Sequence, residues 1–547
     1  MFSLVLFPFL IILSKAAETA PIVSLDYATF QGVQAGNLTK FLGMPFGQLD
    51  ARFGLPKPPK SLHGVQNATV YAPACPQQAL SSTIPITFAP DTNVVEDCLF
   101  LDVFKPTSSD ARSRLPVLVW LYGGYVVGNS AATDPTPVVE RSIATGEPII
   151  IVTPNYRVSA FGFLAGKEVS AAGVTNLGLR DQILALEWVQ KHISAFGGDP
   201  ERVVLGGVSA GAFSTGFLLL SNKQNSNALF RGAFMISGSP VSTGTVEDFQ
   251  PYYDTLVAAN NCTHSVDTLD CLRRTPLESF TETVNQNTPD VFGYQSISLV
   301  WSPRVDGDVL VKNALISIAE GAYAKIPFIS GDSDDEGTLF SYGNQNITTS
   351  PEFLDYVHSN YLPAATPAQI TQIGTLYPDD PTKGSPFDTG TANQLTPEFK
   401  RLAAFQGDLV FVSPRRFFME RASLTQDTWS WLNKRGKATP DLGAFHFSDE
   451  AEIWFTTNSS DTVGMDAFIN FINTLDPNGS VSSAEQPPVS WPKYNTPSSS
   501  GNSSLFTFSD PYVFNVTADN FRVQPIQFLY NLQLSEAIAS SKIHGRK

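Results

Sequence analysis

The sequence predicts an α/β protein: a central, mostly parallel sheet flanked by helices, in a single large domain with insertions. Three observations lead there. Leu115 to Tyr122 and Pro148 to Thr153 are continuous apolar runs closed by glycine, proline or asparagine, which suits strands covered on both faces. Asn176 to Ala195 places Leu179, Ile183, Leu186, Val189 and Ile193 at steps of three and four, an amphipathic helix ending at Gly197-Gly198. Arg202 to Leu205 is a further apolar run, stopped by Gly206-Gly207 and followed by the helix-like stretch Ala212 to Leu220. Strand, helix and strand thus alternate, as a sheet sandwiched by helices requires. Upstream, Glu96 to Phe104 alternates in part like another strand.

The stretch Phe196 to Gly211 carries the chemistry. It reads as strand, tight turn and helix with Ser209 at the turn, the arrangement of a nucleophile elbow. A serine hydroxyl is a poor nucleophile until a base removes its proton, so it must stand clear of the strand where a histidine can reach it. Such a turn crowds its neighbours, and Gly207 and Gly211 flank Ser209 where a β-carbon would collide. The next amide, that of Ala210, then faces a substrate oxygen.

Composition bounds the rest. The 547 residues are 42% hydrophobic and only 16% charged, enough apolar material for a large interior. Lys and Arg number 35 against 51 Asp and Glu, a net charge of −16, which favours neither nucleic acid nor an anionic membrane surface. Met1 to Leu13 is almost wholly apolar, too short to span a bilayer, and followed by small residues. Residues 1–16 therefore read as a secretory signal peptide cleaved near Ala16/Ala17, leaving 17–547 as the domain. The basic tail Ser541 to Lys547 carries no anchor, so no stable membrane attachment is expected.

Cysteine usage fits export. The spacing of Cys75, Cys98, Cys262 and Cys271 invites two local loops, 75 to 98 and 262 to 271, and no histidine stands beside them at metal-ligand spacing. Sequons at Asn37, Asn67, Asn261, Asn346, Asn458, Asn478, Asn502 and Asn515 point to an extracellular glycoprotein.

Three segments together, Glu96 to Pro106, Asn176 to Gln182 and Phe196 to Gly211, resemble the signature motifs of the type-B carboxylesterase/lipase family, which includes fungal lipases, sterol esterases and cholinesterases. The resemblance runs from about Val23 to Leu534. It implies the α/β-hydrolase fold and a serine esterase that needs no metal or organic cofactor.

It also selects among rivals that the residues alone leave open. Asp332, Asp334, Asp335 and Glu336 are all acidic candidates after the strand-like Ile326 to Ser330. The family's acid lies in an Asp-Glu-Gly-Thr motif, matched by Asp335 to Thr338, so Glu336 is selected. Of the six histidines, His446 follows the glycine-aromatic segment Leu442 to Phe445 that precedes the family's base. The order Ser209, Glu336, His446 is the α/β-hydrolase order of nucleophile, acid and base. Gly123 and Gly124, with Ala210, match the oxyanion donors.

Two departures bear on the pocket. The oxyanion loop, Tyr122-Gly123-Gly124-Tyr125, is one glycine short, so Tyr125 is expected to crowd or hydrogen-bond the substrate. Val208 replaces the glutamate most relatives carry before the serine, which removes a pocket carboxylate and argues against choline esters. The loop Pro76 to Asp97 is a lid in similar lipases. Here Leu80, Ile84, Ile86 and Phe88 offer an apolar inner face, and the loop looks shorter than in interfacial lipases. The expected substrate is a small-molecule or lipid ester with an apolar or aromatic acyl group, with lipid-interface contact possible and oligomeric state open. The alternatives are a lipase or sterol esterase and, in another class, a non-catalytic adhesion or binding member of the fold.

Overall fold

A computed structural model describes residues 20–81, 84–86, 91–221, 229–458, 461–479, 490–495 and 503–544. The segment 1–16 expected to be a signal peptide, Phe88 and Asn502 lie outside the described residues. The strands are β1 (Ile22–Ser24), β2 (Thr29–Gln31), β3 (Val33–Ala35), β4 (Leu38–Pro45), β5 (Val65–Asn67), β6 (Phe100–Pro106) and β7 (Leu115–Leu121), followed by β8 (Ile150–Pro154), β9 (Gly198–Val208), β10 (Gly232–Ile236), β11 (Phe328–Ser333), β12 (Thr428–Lys434), β13 (Ser504–Ser509) and β14 (Val513–Ala518). Strands β1, β2 and β5 form a small sheet, and the other eleven form one large sheet in the order β14-β13-β12-β11-β10-β9-β7-β8-β6-β4-β3. From β8 through β7 and β9 to β13 every pairing is parallel; antiparallel pairs occur only toward the two edges.

Period-two patterning distributes the central strands between two cores. Val117, Val119 and Leu121 of β7, Val203 and Leu205 of β9, and Ala233 and Met235 of β10 share one cluster with Leu186 and Val189 of the helix Leu177–His192. The alternate positions, Leu118, Trp120, Val204, Phe234 and Ile236, pack with Phe468 and Phe471 of the helix Val463–Thr474. Phe234 alone has ring contacts with Trp431, Trp454 and Phe468 at 5.3, 5.0 and 4.5 Å. Full burial of such a side chain contributes about 1.5–3 kcal/mol. A third cluster, drawn mostly from the insertions between β10 and β12, also contains Tyr125, Ala210 and Phe213 and so adjoins the elbow.

The observed elements extend the sequence reading at their ends. The strand anticipated at Arg202 to Leu205 begins at Gly198 and runs to Val208, and the helix after it starts at Ala210 rather than Ala212. Pairing with β7 and β10 recruits flanking residues that lack an apolar signature of their own. The disulfides are Cys75–Cys98 and Cys262–Cys271. Asn37, Asn67, Asn261, Asn346 and Asn515 are exposed and Asn458 is partly exposed. Asn478 is exposed too, but its side-chain amide donates to the Trp491 carbonyl at 2.8 Å and its oxygen accepts from the Trp491 amide, which ties Trp491 to the core.

Candidate active site

The parallel strands end at one edge of the sheet, and the site is assembled there from three of the loops that leave it. Ser209 sits between β9 and the helix Ala210–Leu220 with φ 52° and ψ −119°, a left-handed backbone conformation unusual for a residue with a β-carbon. Its amide donates to the Ile236 carbonyl at 2.8 Å, which fixes the turn against β10. The flanking glycines are required by space: a β-carbon on Gly211 would lie 2.0 Å from the Leu121 carbonyl oxygen, and one on Gly207 would lie 2.5 Å from the Gly211 carbonyl carbon.

The residues after β11 and β12 meet Ser209. The Ser209 Oγ and His446 Nε2 are 2.8 Å apart, and His446 Nδ1 contacts Glu336 Oε2. Glu336 Oε1 accepts from the Ser333 amide at 2.6 Å. Ser209 is 9% exposed, Glu336 1% and His446 not at all. The rival acids are engaged elsewhere. Asp332 pairs with Arg415, and Asp334 with Lys437. Asp335 accepts from Ser385, Phe387, Lys437 and the Ala444 amide, an arrangement that secures the loop carrying His446.

Burial opposes charge on both members of the buried pair. It pushes the Glu336 carboxyl up and the His446 imidazolium down. A neutral imidazole whose Nδ1 faces the carboxyl leaves Nε2 free to accept the Ser209 proton. The sign follows: base function is present above the imidazole pKa and lost as pH falls through it. The acid limb of kcat/KM is therefore expected below pH ~6.5, the ordinary histidine value. A pH-stat profile checks this, and a limb at or above pH ~7 would contradict it.

Gly123 and Gly124 form the turn after β7, Gly124 with φ +84°. A β-carbon on Gly123 would lie 3.1 Å from the Ser209 β-carbon and 2.7 Å from the Phe447 ring, so this backbone directly adjoins the serine. Among the described residues neither amide has a hydrogen-bond acceptor, nor does that of Ala210. Tyr125 lines the cavity, but its hydroxyl lies 3.4 Å from Ser214 Oγ within the buried cluster that includes Gln182. Its ring narrows the cavity while its polar end is turned inward. No group of metal-ligating side chains is found among the described residues.

Ser209 opens into a cavity of about 530 Å³. Phe213, Phe292, Trp301, Phe340 and Phe411 supply apolar walls, and Val208 lines it as well. Leu80 of the disulfide loop reaches the same cavity, while Ile84 and Ile86 pack on the insertion core. At Ala79 and Ser81 that loop is tied to the insertion, by the Ser81 hydroxyl on Asp290 at 2.7 Å and by the Ala79 amide on Asn285.

One lining group escaped the sequence reading. Glu450, four residues after His446, borders the cavity, and its carboxyl accepts from the Thr133 hydroxyl at 2.7 Å. Val208 indeed brings no acid, yet the pocket is not without carboxyls: Glu450 provides one from a different loop, beside Asp91 and Asp290. Its spacing from His446, one helical turn, was the only available signal.

A serine on a strand-to-helix turn of a parallel sheet, with a histidine and a carboxyl arriving from later strands, defines an α/β-hydrolase. Comparison with known proteins agrees. A model of the carboxylesterase family matches residues 19–511. Secreted lipase 1 of Botryotinia fuckeliana is 38% identical over 510 residues, 88% of each chain, and Lipase 4 of Diutina rugosa is 37% identical over 91% of this chain and 93% of its own. The crystal structure of Aspergillus niger EstA superposes with a TM-score of 0.80 at 28% identity, covering 94% of this chain and 98% of that one. The chain belongs to the carboxylesterase family. It is a carboxylic-ester hydrolase.

Proposed function

We propose that the protein is secreted and hydrolyses esters of apolar acyl groups through an acyl-enzyme on Ser209. The observation that carries the reading is the continuous contact from Glu336 through His446 to Ser209 at the floor of an aromatic-walled cavity. His446 takes the Ser209 proton as Oγ attacks the ester carbonyl, and Glu336 orients and stabilises the imidazolium. The amides of Gly123, Gly124 and Ala210 receive the oxyanion, where each donor is worth about 10²- to 10³-fold in rate. His446 then protonates the leaving alcohol. Water activated by the same imidazole releases the acid and restores Ser209.

Secretion is supported by the apolar leader at 1–16 and by relatives named as secreted lipases. No helix among the described residues is long and apolar enough to cross a membrane. The relatives' names also favour a second reading, a lipase acting on long-chain lipid esters. A series of p-nitrophenyl esters from acetate to palmitate tests both. An optimum at short to medium chains would support the first reading, a palmitate optimum would establish the lipase reading instead, and no turnover of any ester by folded protein would sink both.

A further inference from the structure

Glu450 borders the cavity but takes no part in the contact chain from Ser209 to Glu336. The walls of the cavity differ in chemistry. Phe213, Phe292, Trp301, Phe340 and Phe411 lie in or against the insertion core. Val208 and Phe447 belong with the sheet-face core, as does Trp120, whose indole donates to Thr133 at 3.3 Å. Thr133 and Glu450 therefore stand on a second wall, one that is polar. The Glu450 amide donates to the Phe447 carbonyl, which places the carboxyl on the segment next to His446.

Among the described residues no cation pairs with Glu450, and burial pushes its carboxyl up to about 7. A carboxylate offers about four acceptor positions; Thr133 occupies one, and the Trp120 side chain also hydrogen-bonds the carboxyl. The other acids lining the cavity, Asp91 and Asp290, are already held. Asn129 Nδ2 donates to one Asp91 oxygen at 3.0 Å and the Asn93 amide to the other at 2.8 Å, while the Ser81 hydroxyl and the Phe292 amide donate to Asp290 at 2.7 and 2.9 Å. Of the three, Glu450 is the acid on the segment next to His446. Buried acceptors of this kind are normally met by a donor.

An ester has two halves. Its acyl chain belongs on the aromatic wall, which leaves the alcohol facing Thr133 and Glu450. We propose that Glu450, positioned by Thr133, is a specificity-determining residue that binds a free hydroxyl on the alcohol half, so that esters of polyols such as partial glycerides are preferred over simple alkyl esters. This rests on the reading of Ser209 as nucleophile. A carboxyl that titrates near neutrality can accept from a hydroxyl or donate to it, whereas a cationic alcohol gains only from the ionised form.

The test compares kcat/KM for glyceryl monobutanoate and propyl butanoate, with Ser209→Ala as blank. The unsubstituted enzyme is expected to favour the glyceryl ester by about tenfold, the scale of one hydrogen bond to a charged group. Glu450→Leu should bring the ratio close to unity, and taking a ratio cancels any loss common to both esters. Thr133→Val, which frees the carboxyl from its anchor, should narrow it as well and serves if the first variant does not fold. A ratio at or below one in the unsubstituted enzyme overturns the proposal. So does a ratio that survives in folded Glu450→Leu, or faster turnover of choline butanoate than of the glyceryl ester. Propyl butanoate hydrolysis persisting in Ser209→Ala would instead remove the nucleophile reading beneath it.

Discussion

Ser209→Ala is expected to lower kcat on a p-nitrophenyl ester by about 10⁵-fold or more, the scale of removing a nucleophile that acts as a unit with its base. Nothing nearby can replace the hydroxyl. His446 Nε2 meets Ser209 Oγ, and the flanking positions are Val208 and Ala210, which carry no nucleophile. The fold should survive, because alanine keeps the β-carbon and the turn is held by backbone bonds from Ser209 to Ile236 and from Phe213 to Ser209. Thermal unfolding of the variant provides the control. A folded variant with activity above about 1% of the original would refute the assignment, since the acyl-enzyme route loses far more than that without its nucleophile.

Arg415→Met is expected to have the largest effect on stability. Arg415 is wholly buried between Asp332 and Asp519, donating to the first at 2.7 Å and to the second at 3.0 Å. It also donates to Ser430 at 3.0 Å. Asp519 keeps Arg416 and the Tyr494 hydroxyl in the variant, but Asp332 loses the one cation that pairs with it among the described residues. Removing one partner of a buried pair costs about 3–5 kcal/mol, because the other charge stays desolvated. Burial already lifts the Asp332 carboxyl to about 7 with Arg415 in place. Without the arginine it rises further, so the folded variant holds a proton that the unfolded chain has released above pH ~4. Stability referable to such a group is present at low pH and lost as pH rises. The deficit should therefore be larger at pH 8 than at pH 5 in urea denaturation, and a deficit under about 1 kcal/mol at pH 8 would contradict the argument.

Arg415 bears on the site through its partner Asp332. Asp332 lies in β11, four residues before Glu336, and the charge of Glu336 helps to raise the Asp332 carboxyl. Arg415 thus neutralises an acid that would otherwise stand unpaired beneath the site.

Short-range features were legible in the sequence because their causes are local. The elbow needs glycine at 207 and 211 wherever the serine turn occurs, and apolar runs such as Leu115 to Leu121 become covered strands whatever surrounds them. The acid was not legible from residues alone. Asp332, Asp334, Asp335 and Glu336 look alike in sequence, and the family resemblance was needed to choose one. In the structure the choice has a physical basis, since Arg415, Lys437 and the Ala444 amide engage the three aspartates while Glu336 meets the imidazole.

The proposed nucleophile, its strained turn, the alternation of strands and helices and the two disulfide loops were determined by the chain's own order of residues, because each depends on neighbours a few positions away. The pocket was decided by tertiary structure. The carboxyl absent at Val208 is supplied by Glu450 through a loop that returns more than two hundred residues later, held by Thr133 from a third segment. The hydroxyl of Tyr125 turns to Ser214 instead of the substrate. Such groups act by proximity across elements, and side-chain hydrogen bonds of this range leave no periodic trace in the sequence.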